Sequence, residues 1–163
     1  DAITMKKEKF NLTSLVEKAL ETLEIPLEIK MQQVSILGDE EVYFQGDFNW
    51  THEALVNILK NCIEHTPEKG RINISLADNP IYTTITISDT GIGIDKKDIP
   101  YIFNRFYKGK NAAADSVGIG LAMARAIVEK QGGDITVKSE KGKGSEFIIK
   151  FYKFPSAPTE PAL

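Results

Sequence analysis

An aspartate followed by two closely spaced glycines, placed at the end of a strand-like run, most restricts how this chain can fold. The run Tyr82–Ser88 alternates in polarity as a half-buried β-strand does, and Asp89, Gly91 and Gly93 come next. Glycine lets the backbone approach a ligand closely and adopt positive φ, and a carboxylate accepts hydrogen bonds from an exocyclic amino group. The stretch therefore indicates a site for an amino-bearing aromatic ligand. The alternative is a strand that leaves into a glycine turn, with Asp89 as the turn former.

The segment 48–66 predicts an amphipathic helix with a polar seam, which Asp47 or Asn49 is suited to cap. Asn57, Asn61 and His65 lie one above another beside the apolar stripe of this helix. The stripe comprises Leu55, Ile58, Leu59 and Cys62. Amides inside a helix are neutral to unfavourable for its stability. The seam therefore either consists of satisfied surface amides or faces a ligand or metal, such as Mg2+ bound by an amide oxygen.

A second pair of glycines indicates where an anion would bind. Gly118 and Gly120 open the predicted helix Leu121–Gln131, which ends at two further glycines. Free N–H groups at a helix N-terminus attract phosphate, although close helix packing also explains a Gly-x-Gly pattern. The segment 109–117 before it has small side chains and little periodicity, which predicts a mobile loop.

The remaining periodicities predict further helices and strands. Apolar residues at helical spacing predict a helix over 12–23 that Pro26 ends, and a short helical piece is expected over 95–101. In the aromatic run beyond it, Phe103 and Phe106 are expected to anchor a loop in the core. Alternating polarity predicts strands at Leu27–Met31, Val42–Gln45, Arg71–Leu76, Asp134–Ser139 and Ser145–Tyr152.

Length and composition favour one globular domain over 1–154 followed by a tail. The chain has 163 residues, of which 42% are hydrophobic and 26% charged, and its net charge of −3 gives no basic field for nucleic acid. It contains neither a long apolar run nor a signal-peptide pattern. Cys62 is the only cysteine, which excludes an internal disulfide and fits a reducing compartment. The segment 155–163 holds three of the seven prolines and is expected to be a disordered tail.

In this order, the motifs resemble those of one family. An asparagine helix, Asp-x-Gly-x-Gly, an aromatic anchor, a small-residue loop, a Gly-x-Gly helix and a Gly-x-Gly-Ser-x-Phe hairpin follow one another within residues 8–152. The series closely resembles the catalytic ATP-binding domain of bacterial sensor histidine kinases. That family belongs to a superfamily with type II topoisomerases, a heat-shock chaperone and mismatch-repair ATPases. The resemblance implies an α+β fold, a two-layer α/β sandwich in which three helices cover one face of a mixed, mainly antiparallel sheet.

The resemblance also implies roles for residues of the asparagine helix and for the aspartate. Asn57 would lie near the reacting γ-phosphate as the catalytic residue, and Asn61 would hold Mg2+. His65 takes the place of an aromatic residue that packs against adenine. Asp89 would accept a hydrogen bond from the adenine amino group. ATP and Mg2+ are therefore the expected ligands.

Further ATP-binding residues are implied in the glycine segments and beside the aromatic anchor. Tyr107 and Lys108 would reach the ribose and the phosphates. The other residues implied to bind ATP are Gly91, Gly93, Gly118, Ile119, Gly120, Leu121 and Ser145. The last of these belongs to a final glycine box that also contains Gly142, Gly144 and Phe147.

Three residues depart from the family pattern. Glu64 stands where many members carry Lys or Arg, and an acid cannot donate a hydrogen bond to phosphate. Ser116 replaces a frequent glycine before the phosphate helix, which restricts the freedom expected of the loop. Trp50 replaces a smaller aliphatic residue and is interpreted as core packing.

The function implied by the resemblance is phosphoryl transfer from Mg-ATP to a histidine on a separate dimerisation and phosphoacceptor domain. A response regulator would act downstream. The full-length protein is expected to be a membrane-anchored homodimer, with this chain as a cytoplasmic domain of a bacterial inner-membrane sensor. Two alternatives remain: a conformational ATPase of the superfamily, and a nucleotide-binding module without kinase activity. The ATPases typically carry a Glu general base where this chain has Asn57, so slow hydrolysis is expected.

Overall fold

The described part of the chain forms twelve helical and strand elements. The computed structural model describes residues 4–38, 41–107 and 120–154. In chain order, the elements are β1 Glu8–Asn11, α1 Leu12–Thr22, α2 Glu24–Ile29, β2 Gln33–Gly38, β3 Tyr43–Gly46, α3 Phe48–His65, β4 Arg71–Asp78, β5 Tyr82–Asp89, a 3-10 turn Ile99–Tyr101, α4 Gly120–Lys130, β6 Gly133–Glu140 and β7 Gly144–Tyr152.

The main sheet is mixed and mainly antiparallel. Its strand order is β2-β4-β5-β7-β6; the edge pair β2–β4 is parallel, and the other pairs among these strands are antiparallel. Residues of β5 alternate between buried and partly exposed, so one face of the sheet is covered. The buried stripes of α1, α3 and α4 supply that cover, and α3 contacts both other helices. This confirms the predicted sandwich with three helices on one face. The strands β1 and β3 form a separate antiparallel pair.

Helix α3 is fixed at both ends by side chains. Asp47 Oδ1 accepts from Trp50 N at 2.9 Å, which confirms the predicted N-cap. At the C-terminus, the backbone turns extended at Thr66 and is held from outside the helix. Lys30 Nζ donates to Ile63 O at 2.8 Å and to Thr66 O at 2.9 Å. Gln32 Nε2 donates to the same two carbonyls, at 3.1 and 2.7 Å. These bonds satisfy carbonyls that a helix end otherwise leaves without partners.

The prediction of a strand at Leu27–Met31 was wrong, because this segment lies largely in the short helix α2. Pro26 is the third residue of α2. The N–H groups of the first helical turn have no acceptor within the helix, so a proline there breaks no hydrogen bond and α2 continues through it. The chain instead turns at Met31, which has φ 50°. The strand that follows, β2, was not predicted. Its apolar alternation is confined to Val34 and Ile36, and its partner strand lies far along the sequence.

The two phenylalanines of the aromatic run have different environments. Phe103 packs on the core, with its ring centroid 6.4 Å from that of Phe147, as predicted. The prediction for Phe106 was wrong, because its side chain is 68% exposed and its φ is 64°. The left-handed backbone at Phe106 accompanies a side chain that lies away from the core.

Among the described residues, no helix is both long and apolar enough to cross a bilayer.

Candidate functional site

Asp89 ends the central strand β5 and is 7% exposed. Its Oδ1 accepts from Gly91 N at 2.9 Å and from Ser145 N at 3.2 Å. Both backbone donors bond the same oxygen, so Oδ2 keeps acceptor capacity for a ligand. The carboxylate is thus held in one orientation by its own loop and by the neighbouring strand.

The protonation of Asp89 reflects opposing influences. Burial raises the pKa of this carboxyl above its ordinary value, while hydrogen bonds from Gly91 N–H, the Cys62 thiol and Ser145 N–H oppose that rise. Burial also raises the pKa of the Cys62 thiol, and the nearby Asp89 charge adds to that shift. Cys62 is a fully buried core residue, as predicted, but its contact with the carboxylate was not predicted. Only the packing of α3 against β5 reveals that contact.

The glycine segment after Asp89 lies directly against the end of α3. A Cβ atom at Gly91 would lie 2.4 Å from the His65 carbonyl oxygen, so no larger residue fits there. The same carbonyl accepts from Ile92 N at 3.1 Å. Gly93 has φ +75°, and a Cβ there would lie 2.1 Å from Glu140 O. Both predicted glycines are therefore required by close backbone approach, whether or not a ligand is bound.

The β6–β7 hairpin holds the far side of this segment. Gly142 N donates to Ile92 O at 2.6 Å, and Ile94 N donates to Ser139 Oγ at 2.8 Å. Ser139 was missed in the sequence, although alternation along β6 puts it on the same face as Ile135. The hairpin that carries the final glycine box thus holds the segment after Asp89 in place. Ser145 in that box is in addition predicted to bind ATP.

The polar seam of α3 is present as predicted. Asn57, Asn61 and His65 are each half-buried, and eight residues of helix separate the first from the last by about 12 Å. Asn57 Nδ2 donates to Glu53 O at 3.0 Å and contacts Met123 Sδ at 3.7 Å. Its Oδ1 would lie 3.2 Å from a Cβ at Gly120, so this amide oxygen faces the start of α4.

The predicted site residues fall into two groups joined by the seam. His65, Asp89, Gly91 and Ser145 lie together at one end. Asn57 and Gly120 meet at the other end. Leu121 packs against the hydrophobic core beside that end. The predicted residues Lys108, Gly118 and Ile119 lie outside the described part of the chain, as do Ser116, the segment 109–117 and the segment 155–163.

The Tyr107 side chain is held by a neighbouring carboxylate and by a second tyrosine. Its hydroxyl donates to Asp98, and this bond, with burial and nearby negative charge, raises the pKa of Tyr107 to about 12. Its ring packs partly on the core and lies 6.2 Å from that of Tyr101. The phenol therefore stays protonated at physiological pH.

Few side chains in the described part of the chain are placed to bind a metal ion. Within residues 4–38, 41–107 and 120–154, no group of three or more His, Cys, Asp or Glu side chains is placed to hold a metal. Asn61 is half-buried on α3, and its side-chain amide oxygen is of the kind that binds a hard cation. One amide oxygen fits Mg2+, which keeps several waters and shares phosphate oxygens with its ligand.

Comparison with known protein families and sequences finds matches over most of the chain. Residues 46–155 match the family described as histidine kinase-, DNA gyrase B- and HSP90-like ATPase. Sensor histidine kinase YclK of Bacillus subtilis (strain 168) is 38% identical over 152 residues, which are 91% of this chain and 32% of that protein. The chain thus spans about a third of the length of this relative.

Solved structures share the fold. The catalytic domain of histidine kinase ThkA superposes with a TM-score of 0.80 at 24% identity, covering 93% of this chain and 99% of that one. ThkA in complex with response regulator protein TrrA superposes with a TM-score of 0.76 at 23% identity, covering 91% of this chain and 42% of the kinase chain.

Proposed function

Since the chain belongs to the histidine kinase-, DNA gyrase B- and HSP90-like ATPase family, we propose that it binds Mg-ATP and donates the γ-phosphoryl group to a histidine. One observation carries this proposal. A buried carboxylate with a spare acceptor oxygen, Asp89, stands at one end of a polar seam, and the other end of the seam faces the start of α4. Such a seam suits a nucleotide with its base at Asp89 and its phosphates toward Gly120.

The acceptor histidine would belong to a separate dimerisation and phosphoacceptor domain, and a response regulator would act downstream. Two observations support these partners: the likeness to a whole sensor histidine kinase of which this chain spans a third, and to the kinase solved with its response regulator. In this proposal the full-length protein is a membrane-anchored homodimer. This chain is its cytoplasmic ATP-binding domain, over 1–154, in a bacterial inner-membrane sensor.

Each residue of the seam has a distinct task in the proposed reaction. Asp89 Oδ2 accepts from the adenine amino group, and the backbone around Gly91 excludes water from that end. His65 packs beside the base. Asn61 would hold Mg2+, which neutralises phosphate charge when bound. Asn57 positions the γ-phosphoryl group for in-line attack, since phosphoryl transfer depends mainly on positioning and electrostatic stabilisation. Lys108 and the backbone near Gly118 would add positive charge.

A conformational ATPase is the weaker alternative. Hydrolysis needs a general base that takes a proton from water, and the amide of Asn57 has no basic lone pair. Its nitrogen is moreover engaged with Glu53 O at 3.0 Å. We therefore expect slow hydrolysis by this chain. A nucleotide-binding module without kinase activity would bind ATP equally well and differ only in transfer.

Calorimetry with ADP and ATP in the presence of Mg2+ tests the binding step. The Asp89→Asn variant should lose most of the affinity, because a charge-assisted hydrogen bond of roughly 1.5–3 kcal/mol is replaced by a mismatched amide. Thr86→Ala, on the uncovered face of the same strand, is the matched control and should bind normally. Equal affinity for GTP and ATP would refute the assignment of Asp89.

A further inference from the structure

A row of three polar residues crosses three neighbouring strands at the base end of the site. Asp89 on β5 is paired with Ser145 on β7, and Ser145 is paired with Ser139 on β6. Asp89 and Ser145 are buried, and Ser139 is half-buried. Ser145 therefore lies between the carboxylate and a serine to which neither the motifs nor the proposed reaction gives a role.

Only one arrangement of the two hydroxyl protons makes all three contacts of Ser139 Oγ hydrogen bonds at once. Ser139 Oγ is 2.8 Å from Gly144 O and 2.8 Å from Ile94 N. A carbonyl oxygen only accepts and a backbone N–H only donates, so the single proton of Ser139 points to Gly144 O. Ser145 Oγ lies 2.9 Å from Ser139 Oγ, so these two hydroxyls form a hydrogen bond when one of them donates to the other. Since the proton of Ser139 is already used, Ser145 is the donor.

This arrangement turns the Ser145 hydroxyl proton toward Ser139. What Ser145 Oγ retains for a ligand is lone pairs, so it is an acceptor beside a second acceptor, the carboxylate of Asp89. An exocyclic amino group has two hydrogens and suits such a pair. A 6-oxo group carries only lone pairs and would face acceptors without a donor, which leaves buried polar atoms unpaired.

We propose that Ser139 is a positioning residue for base selectivity, because it takes the proton of Ser145 and so makes the base end accept a 6-amino purine and reject a 6-oxo purine. This inference rests on the proposed nucleotide binding. It assigns Ser139 no contact with the nucleotide. Its effect passes through Ser145 alone.

The test compares ADP with inosine diphosphate, whose base carries the 6-oxo group in place of the amino group. In Ser139→Ala, the Ser145 hydroxyl loses its acceptor and becomes free to donate to an oxo group. The affinity for ADP should fall while that for inosine diphosphate falls less or rises, so that the ADP preference drops about tenfold, as for one hydrogen bond. A purely structural role, through lost contacts to Ile94 and Gly144, would weaken both nucleotides alike. An unchanged preference would therefore overturn the inference.

Matched variants separate the hydroxyl from the shape of the side chain. Ser139→Thr keeps the hydroxyl and should keep the preference for ADP. Ser139→Val has the shape of threonine without the hydroxyl and should lose that preference. This pair remains decisive if Ser139→Ala folds poorly. In a Ser145→Ala background, Ser139→Val should change the preference no further. Ser75→Ala, on the uncovered face of β4, should match the unmodified chain.

The measurements also distinguish the two proposals. If the unmodified chain binds neither nucleotide, the proposed function fails and this inference fails with it. If the chain binds ADP selectively but Ser139→Val and Ser139→Thr show the same preference, only the role of Ser139 is wrong.

Discussion

At the scale of single residues, Asp89 meets two opposing demands. Burial favours its neutral form and raises its pKa, whereas in the proposed complex a base amino group that donates to the carboxylate would favour the charged form. Nucleotide affinity should therefore fall as pH drops through the raised pKa of Asp89, beginning at higher pH than for an ordinary aspartate. Calorimetric titrations with ADP from neutral pH downward check this, and Asp89→Asn should lack that part of the dependence. An identical pH profile for both proteins would contradict it.

Without a ligand, the free energy of unfolding should change with pH in the opposite direction from the nucleotide affinity. A carboxyl whose pKa is higher folded than unfolded binds protons more readily in the folded state, so the free energy of unfolding rises as pH falls through the folded pKa. The contribution of Asp89 thus destabilises the empty fold at neutral pH. Denaturant titrations of Asp89→Asn against the unmodified chain should show their difference shrinking as pH falls, with no ligand present.

Substitution of Gly91 tests whether the close approach of its backbone to the His65 carbonyl requires glycine. In Gly91→Ala, the new Cβ would meet the His65 carbonyl at 2.4 Å, and that atom is backbone that cannot move without α3. We expect a loss of about 1–3 kcal/mol in the free energy of unfolding, measured with denaturant, and a loss of nucleotide affinity. At Gly142 an added Cβ meets no atom, so Gly142→Asn should cost less, because Asn tolerates positive φ. Equal losses at both positions would show that space at Gly91 is not limiting.

At the scale of elements, the C-terminus of α3 depends on the segment between α2 and β2. The Lys30 ammonium satisfies carbonyls there and places positive charge at the negative end of the helix dipole. Lys30→Met should lower the free energy of unfolding by about 1–3 kcal/mol. It should also speed hydrogen exchange at Ile92 N, whose acceptor is the His65 carbonyl. Lys130→Met at the exposed end of α4 is the control, and slow Ile92 exchange in both variants would contradict the coupling.

The same elements show which structural features could be predicted from the sequence and which could not. The seam of α3 and the position of Asp89 could be predicted, because helical and strand periods are local properties of neighbouring residues. The role of Ser139 could not, because the register of β6 and β7 decides that its side chain lies beside Ser145. The role of Lys30 could not either, because it donates to carbonyls of α3 and Thr66 that are distant in sequence. The segment Leu27–Met31 misled for a related reason: alternating polarity over five residues also fits a short helix that buries no side chain.

At the scale of the whole molecule, the chain should bind ATP without labelling itself. An in-line nucleophile is needed within about 3–3.5 Å of the phosphorus in a near-attack geometry. His52 is engaged with Thr22 on α1 at 3.2 Å, and His65 lies at the base end beside Asp89. With radiolabelled ATP, acid-labile label should appear only on an added acceptor-histidine domain. Strong label on this chain alone, abolished by His52→Gln or His65→Gln, would overturn the proposed two-domain reaction.

The pairing of β5 with β7 has a consequence for synthesis on the ribosome. Asp89 receives one of its two backbone hydrogen bonds from Ser145, which follows 56 residues later in the chain. At about 5–20 residues per second, the growing polypeptide spends about 3–11 s with β5 made and β7 still untranslated. During that interval one edge of β5 has no partner strand, and the carboxylate lacks the neighbour that orients it. If nucleotide binds at Asp89 as proposed, it does not assist the early steps of folding, and a nascent chain stalled before β7 should be unable to bind it.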